Sequence, residues 1–304
     1  MNKSLRFLLE NLIDYAGLFP PAELPMVEAV KNYAAYGQSE HSWMLGKFIV
    51  PASRLEEFEQ VAAEFWPRDG EQGFWKLSAL GGVNLQDDLA QINRFSRRRT
   101  IGETTAAVMI DTIEFRASTV AEIEATMRVM HPTLTCFIEI PIHDDPEKLA
   151  ELLRAINAAG AFAKVRTGGV TTEAFPSSPN LARFIATCAE EDVAFKATAG
   201  LHHPLRSMNR LTYEPESASA MMHGFLNVFL AAAFAQNGLS VEQLTDLLEE
   251  TSFDAFRFEE GCVYWRDEML VVGHLRNARR LFSFSFGSCS FTEPIHDLQQ
   301  LHLL

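Results

Sequence analysis

A chain of 304 residues with 26 basic and 40 acidic side chains carries a formal charge of −14, which argues against a nucleic-acid surface or an anionic membrane as its partner. An apolar fraction of 47% and a charged fraction of 22% belong to a globular protein with a large core, and the length matches a single α/β barrel. Cys136, Cys188, Cys262 and Cys289 stand without C-x-x-C spacing, so reduced thiols and a cytoplasmic location are expected.

Residues 4–14 read as an amphipathic helix stopped by Gly17 and Pro20-Pro21; without an apolar h-region the segment is not a signal peptide. A second helix covers 26–36. Gly46-Lys-Phe-Ile-Val-Pro51 is a strand closed by proline, followed by a helix over 53–65 with Ser53 as its N-cap. Strand 74–80 leads through Gly81-Gly82 to a helix over 85–95, and strand 106–115 leads to a helix over 118–130 opened by Ser118. After strand 136–140, Asp144-Asp-Pro-Glu147 is an acidic helix start with proline in its first turn. Two strands follow, in 161–170 and 193–200, each carrying one lysine before a glycine break, with a helix over 180–190 between them.

Beyond Arg206 the pattern changes. Residues 207–216 read as a loop, 217–236 and 241–250 as helices, 256–272 as a hairpin and 272–280 as a helix. No apolar stretch reaches the ~20 residues of a membrane span. The nearest, 218–235, contains His223 and Asn227 and reads as a buried helix. Leu281-Phe-Ser-Phe-Ser-Phe-Gly-Ser-Cys-Ser290 puts phenylalanines on one face and serines on the other, and reads as the closing strand. Repeated strand-then-helix units predict an α/β fold, a TIM (β/α)8-type barrel in one domain over 1–304, with 207–280 as a helical and hairpin insertion before the last strand.

Functional groups of a parallel barrel sit at the carboxyl ends of its strands. Alternation places Phe162, Lys164 and Arg166 on one face, and Ala194, Lys196 and Thr198 on another. The inward polar set is therefore Glu114, Glu139, Lys164, Arg166, Lys196 and Thr198. Neighbouring strands about 4.8 Å apart bring the two ammonium groups together. Burial and a like charge both lower a lysine pKa, and a neutral amine attacks a carbonyl to form a Schiff base. The plain structural reading stays open beside this one: lysines that snorkel or pair with Glu114 and Glu139, and glycines that merely turn a loop. Thr167-Gly168-Gly169 and Ala199-Gly200 are loop turns or anion-binding backbone.

The two lysine strands, Lys164-Val-Arg-Thr-Gly168 and Lys196-Ala-Thr-Ala-Gly200, resemble those of class I aldolases of the deoxyribose-phosphate aldolase kind. Phe137-Ile-Glu139, Ile113-Glu114 and Leu12-Ile-Asp-Tyr15 are similar to further parts of that family, as is Phe286-Gly-Ser-Cys-Ser290. The resemblance covers 105–206 and 281–290. It implies a lyase with Lys164 as the Schiff-base lysine, Lys196 lowering its pKa, and Glu114 or Glu139 moving protons. It also implies a phosphate or other anion held by Gly287, Ser288 and Ser290 at a helix start, with Gly168, Gly169 and Gly200 nearby. Arg166 replaces a serine of the family, Glu114 an aspartate, and Leu201-His-His-Pro204 a different run, so the substrate is expected to differ. Arg166 suggests a carboxylate or phosphate to be held.

This chemistry calls for a small oxo-substrate and no cofactor. Two other readings stand against it. His202 and His203, with Glu139 or His223, offer ligands for a metal-dependent barrel enzyme, although no His-x-His or Glu-x-x-His spacing supports one; a part in substrate binding or proton transfer is the other role for that pair. A non-catalytic barrel would use the insertion as a surface for a homo-oligomer or another partner. Glu293 and Asp297 read as caps of a last helix, and His143 as a capping or surface residue.

Overall fold

Eight short strands hydrogen-bond side by side in one closed, all-parallel ring: β1 (Ile13–Tyr15), β2 (Leu45–Pro51), β3 (Trp75–Leu80), β4 (Val108–Arg116), β5 (Thr135–Glu139), β6 (Phe162–Arg166), β7 (Phe195–Thr198) and β8 (Ser283–Ser288). The ring closes where Ile13 and Asp14 register with Phe286 and Gly287. This is the expected TIM-type barrel. The structure, a computed structural model, describes residues 1–66, 74–101 and 108–304. Ala106 and Ala107, which belong to the fourth strand in the sequence reading, lie outside the described residues.

Each strand is followed by a helix that lays an apolar stripe on the outside of the ring. Met26–Gly37 follows β1, Leu55–Ala62 follows β2, Pro146–Ala158 follows β5 and Ser178–Glu190 follows β6. Pro146 stands in the first helical turn behind the capping carboxylate of Asp145, where its missing N–H costs nothing. Phe225–Ala235 takes the seventh position, stacking Phe225 and Phe229 on Phe286 of β8. It is apolar all round and buried along nearly its whole length. Its one polar side chain, Asn227, donates to the carbonyls of Leu247 (2.8 Å) and Glu250 (2.9 Å) and accepts from the Arg206 N–H (3.1 Å). No helix among the described residues is long and apolar enough to cross a membrane.

Several boundaries differ from the sequence reading. The helix expected over 4–14 ends at Leu9, and Ile13–Tyr15 is the first barrel strand. Three residues are too few for alternation to register against the helical pattern around them. Ser53 lies inside a 3-10 turn and caps nothing, and Thr119 rather than Ser118 caps Val120–Arg128. The expected loop 207–216 and the start of the expected helix 217–236 instead form a hairpin, Ser207–Arg210 against Ser219–Met222. The expected hairpin in 256–272 is a three-stranded antiparallel sheet.

On β8 the phenylalanines do not share a face. A register shift between Ser283 and Phe286 lets consecutive residues point inward. Phe284 packs on Phe137 and Phe162 and Ser285 reaches Asp14, while Phe286 faces the helices outside.

Candidate active site

The barrel interior is crossed by a ladder of charges. Glu114, on β4, stands between the two lysines: its Oε1 accepts from Lys196 Nζ (2.7 Å) and from Ser78 Oγ of β3 (2.6 Å), and its Oε2 lies 2.9 Å from Lys164 Nζ. Lys164 and Lys196 are register partners on β6 and β7, which is why one carboxylate can bridge them. Lys196 also donates to Asp14 Oδ2 of β1 (2.6 Å), which accepts a second bond from Ser285 Oγ (2.7 Å). Lys164 continues the ladder upward to Glu139 Oε2 of β5 (2.9 Å). Glu139 Oε1 meets Arg166 Nε (3.1 Å) and Arg116 Nε (3.2 Å) at the carboxyl-end mouth.

Burial opposes ionisation of Glu114, but the two lysines overcome it and hold the carboxyl well below the usual carboxylate range. Burial likewise works against Glu139, and Lys164 and then Arg166 bring it down. The same competition acts on Lys196. Burial disfavours its ammonium, yet Asp14 and Glu114 outweigh that cost and raise its pKa above the ordinary lysine value. The general rule that burial and a like charge lower a lysine pKa leaves out the carboxylate partners.

The lysines are held differently. Lys196 makes directed hydrogen bonds to both of its carboxylates. Lys164 sits at ion-pair distance from Glu114 Oε2 and Glu139 Oε2, but neither buried oxygen receives a hydrogen bond of good angle. Lys164 is nonetheless held in two close ion pairs, 2.9 Å from each oxygen, with Glu139 opening on the mouth.

The remaining predicted residues form a second cluster over the carboxyl ends of β6 and β7. A cavity of about 360 Å³ is lined there by Gly169, Gly200, His202, His203, Tyr213 and Glu293, among others. His202 Nδ1 meets Glu293 (3.0 Å) and His203 Nδ1 meets Asp297 (2.6 Å). Those carboxylates are expected from sequence to cap the last helix; the Glu293 N–H is instead taken by Ser290 Oγ (3.1 Å). His223 is buried away from both, against the Pro176 carbonyl (2.8 Å), and burial lowers its pKa to about 4. With each histidine paired separately, the proposed His202, His203 and Glu139 or His223 set does not assemble. Among the described residues no group of three or more His, Cys, Asp or Glu could hold a metal.

Several candidate anion binders also have structural work. Thr167 Oγ1 donates to the Ala199 carbonyl (2.6 Å) and ties the β6 loop to the β7 loop. A Cβ on Gly168 would lie 2.5 Å from Phe175 Cε1 and 2.8 Å from Gly200 Cα, and Gly200 itself has φ +75°. Backbone contact between the two loops requires both glycines. Gly168→Ala is therefore expected to cost about 1–3 kcal/mol in urea unfolding, and an unchanged midpoint would contradict this packing. Gly287 and Ser288 are buried in β8, and Thr198 Oγ1 lies 3.4 Å from where a Gly287 Cβ would be.

Asp14, Ser78, Arg116 and Ser285 complete the ladder, and sequence reasoning misses them. Asp14 has a signal: it is a lone acid in the apolar run from Leu12 to Leu18, as Lys164 and Lys196 are lone bases in theirs. Searches against protein-family models and against curated proteins find no match to this chain.

Proposed function

We propose that this barrel is a lyase of the aldolase type that forms a Schiff base between Lys164 and a small oxo-substrate. The observation that carries the reading is a pair of buried lysines joined by Glu114: Lys196 held between Asp14 and Glu114 deep in the barrel, Lys164 held between Glu114 and Glu139 next to the mouth. The deeper lysine sets the charge of the site. Lys164, nearer the mouth, would turn its lone pair on a carbonyl carbon as its proton passes to the carbonyl oxygen.

In that chemistry the amine adds to the carbonyl, and the carbinolamine loses water to give an iminium. A base then takes the proton of the β-hydroxyl, the carbon–carbon bond breaks, its electron pair moves into the iminium to leave an enamine, and the other fragment departs as an aldehyde or ketone. Glu139 is placed to accept and return protons, since one oxygen faces Lys164 and the other the mouth. Four cations, Lys164, Lys196, Arg116 and Arg166, stand against the carboxylates of Asp14, Glu114 and Glu139, which suits a substrate bearing a carboxylate or phosphate. Arg166 and Arg116 would hold that group at the rim.

Borohydride reduction in the presence of a panel of small aldehydes, ketones and oxo-acids, followed by peptide mass mapping, tests the reading. A secondary-amine adduct is expected on Lys164 and not on Lys196. If no carbonyl compound marks either lysine, the Schiff-base reading fails.

A further inference from the structure

A large cavity lies at the opposite end of the barrel from the mouth. It measures about 880 Å³ and reaches the first residues of several strands, Leu45, Trp75, Thr135 and Phe162, so it opens the amino-terminal end. Barrel interiors are normally packed layers of side chains, and the chemistry of the fold belongs to the other face. Here the lowest layer is not closed. Its floor is a triangle of rings, with Phe137–Phe162, Phe137–Phe284 and Phe162–Phe284 centroids 5.5, 5.7 and 5.3 Å apart, and Phe162 and Phe284 remain partly exposed to it. Phe74, at the rim, is 47% exposed.

The charge of this cavity is opposite to that of the protein. Lys47, Lys76, Lys196, Arg276, Arg279 and Arg280 line it, against the carboxylates of Glu10 and Asp14. Three of those cations are already engaged: Lys47 with Asp111, Lys196 with Asp14, and Arg279 with the carbonyls of Leu8, Glu10 and Ser283. Lys76, Arg276 and Arg280 are exposed and make no ion pair among the described residues. In a chain of net charge −14, a concave aromatic floor ringed by exposed cations concentrates small anions.

We propose that the amino-terminal cavity is a binding site for a small organic anion with a flat apolar body, its rings on the Phe137–Phe162–Phe284 floor and its charged group at Lys76 and Arg280. The site shares Asp14 and Lys196 of its inner wall with the ladder, but it opens on the other end of the barrel and needs no reaction at Lys164.

The test uses the full chain and two fluorescent probes of similar apolar body, anionic 8-anilino-1-naphthalenesulfonate and neutral N-phenyl-1-naphthylamine. The wild type is expected to bind the sulfonate at one saturable site and the neutral probe at least about tenfold more weakly. Lys76→Glu with Arg280→Glu should weaken the sulfonate by at least about tenfold, and the milder Lys76→Gln with Arg280→Gln by a smaller factor in the same direction. Both variants alter exposed side chains, and a thermal melt checks that they fold. Equal affinity for the two probes, an affinity indifferent to both double substitutions, or no saturable sulfonate binding would each overturn the proposal. Carbonyl trapping on Lys164 is read separately, so failure of one does not disguise failure of the other.

Discussion

Glu114→Gln is expected to lower the unfolding free energy by about 3–5 kcal/mol, because it strips the shared counter-charge from two buried ammonium groups. The amide preserves the shape of the side chain and can still accept from Ser78, so the loss reports charge and not a cavity. Lys196 keeps Asp14, and Lys164 keeps Glu139, but the distance between the lysines is set by a residue that no longer separates them electrostatically. Urea unfolding at neutral pH measures the change. The pH dependence gives a second, signed check. A carboxyl depressed on folding, such as Glu114, stabilises above the ordinary carboxylate pKa of about 4.3, and the benefit is lost as pH falls on through its folded value. A lysine raised on folding, such as Lys196, stabilises below about 10.4, and that benefit is lost as pH rises through its folded value. Wild-type stability from these two groups should thus form a plateau between the two limits. Glu114→Gln should flatten its acid edge. A variant within about 1 kcal/mol of wild type would mean that the ladder is solvated and weak, as surface ion pairs are.

The ring of strands is largely legible in the sequence because strand and helix alternate with glycine and proline between them, and apolar strand cores leave little choice of architecture. Lys164, Lys196, Glu114 and Glu139 are legible for a related reason: a charge in the middle of an apolar strand has to meet a partner. What cannot be read is the partner. Asp14 lies 182 residues from Lys196 in sequence, on a strand of three residues that local pattern assigns to a helix. Strict alternation assigns Ser285 its face, and the irregularity on β8 breaks that alternation. The pKa direction of Lys196 follows from those omissions, since a buried lysine without its carboxylates loses its proton and one between two of them keeps it. The loop glycines leave two readings open in sequence. Gly168 and Gly200 fit a loop turn or backbone for an anion, and the contact that demands glycine there is with each other and Phe175.

Lys164→Met and Lys196→Met should separate chemistry from support, and their contrast is the second large effect. Removing Lys164 leaves no carboxylate without a cation: Glu139 retains Arg166 and Arg116, and Glu114 retains Lys196. The stability cost should be about 1–2 kcal/mol, mostly because two buried oxygens no longer face an ammonium. Removing Lys196 strands Asp14, which keeps the Ser285 hydroxyl and the Lys47 N–H (2.8 Å) but loses its ammonium. That substitution should cost about 3–5 kcal/mol. In the trapping experiment the order reverses. Lys164→Met should abolish the borohydride-stable adduct while the barrel stays folded, whereas Lys196→Met should reduce it in proportion to the protein still folded and to the lost charge beside Glu114. A buried lysine that the fold can do without and that traps a carbonyl would be explained by reaction; one that the fold needs is explained by the fold. Equal stability losses in the two variants, together with no adduct on the wild type, would place both lysines in the second class and leave the ladder as a structural core.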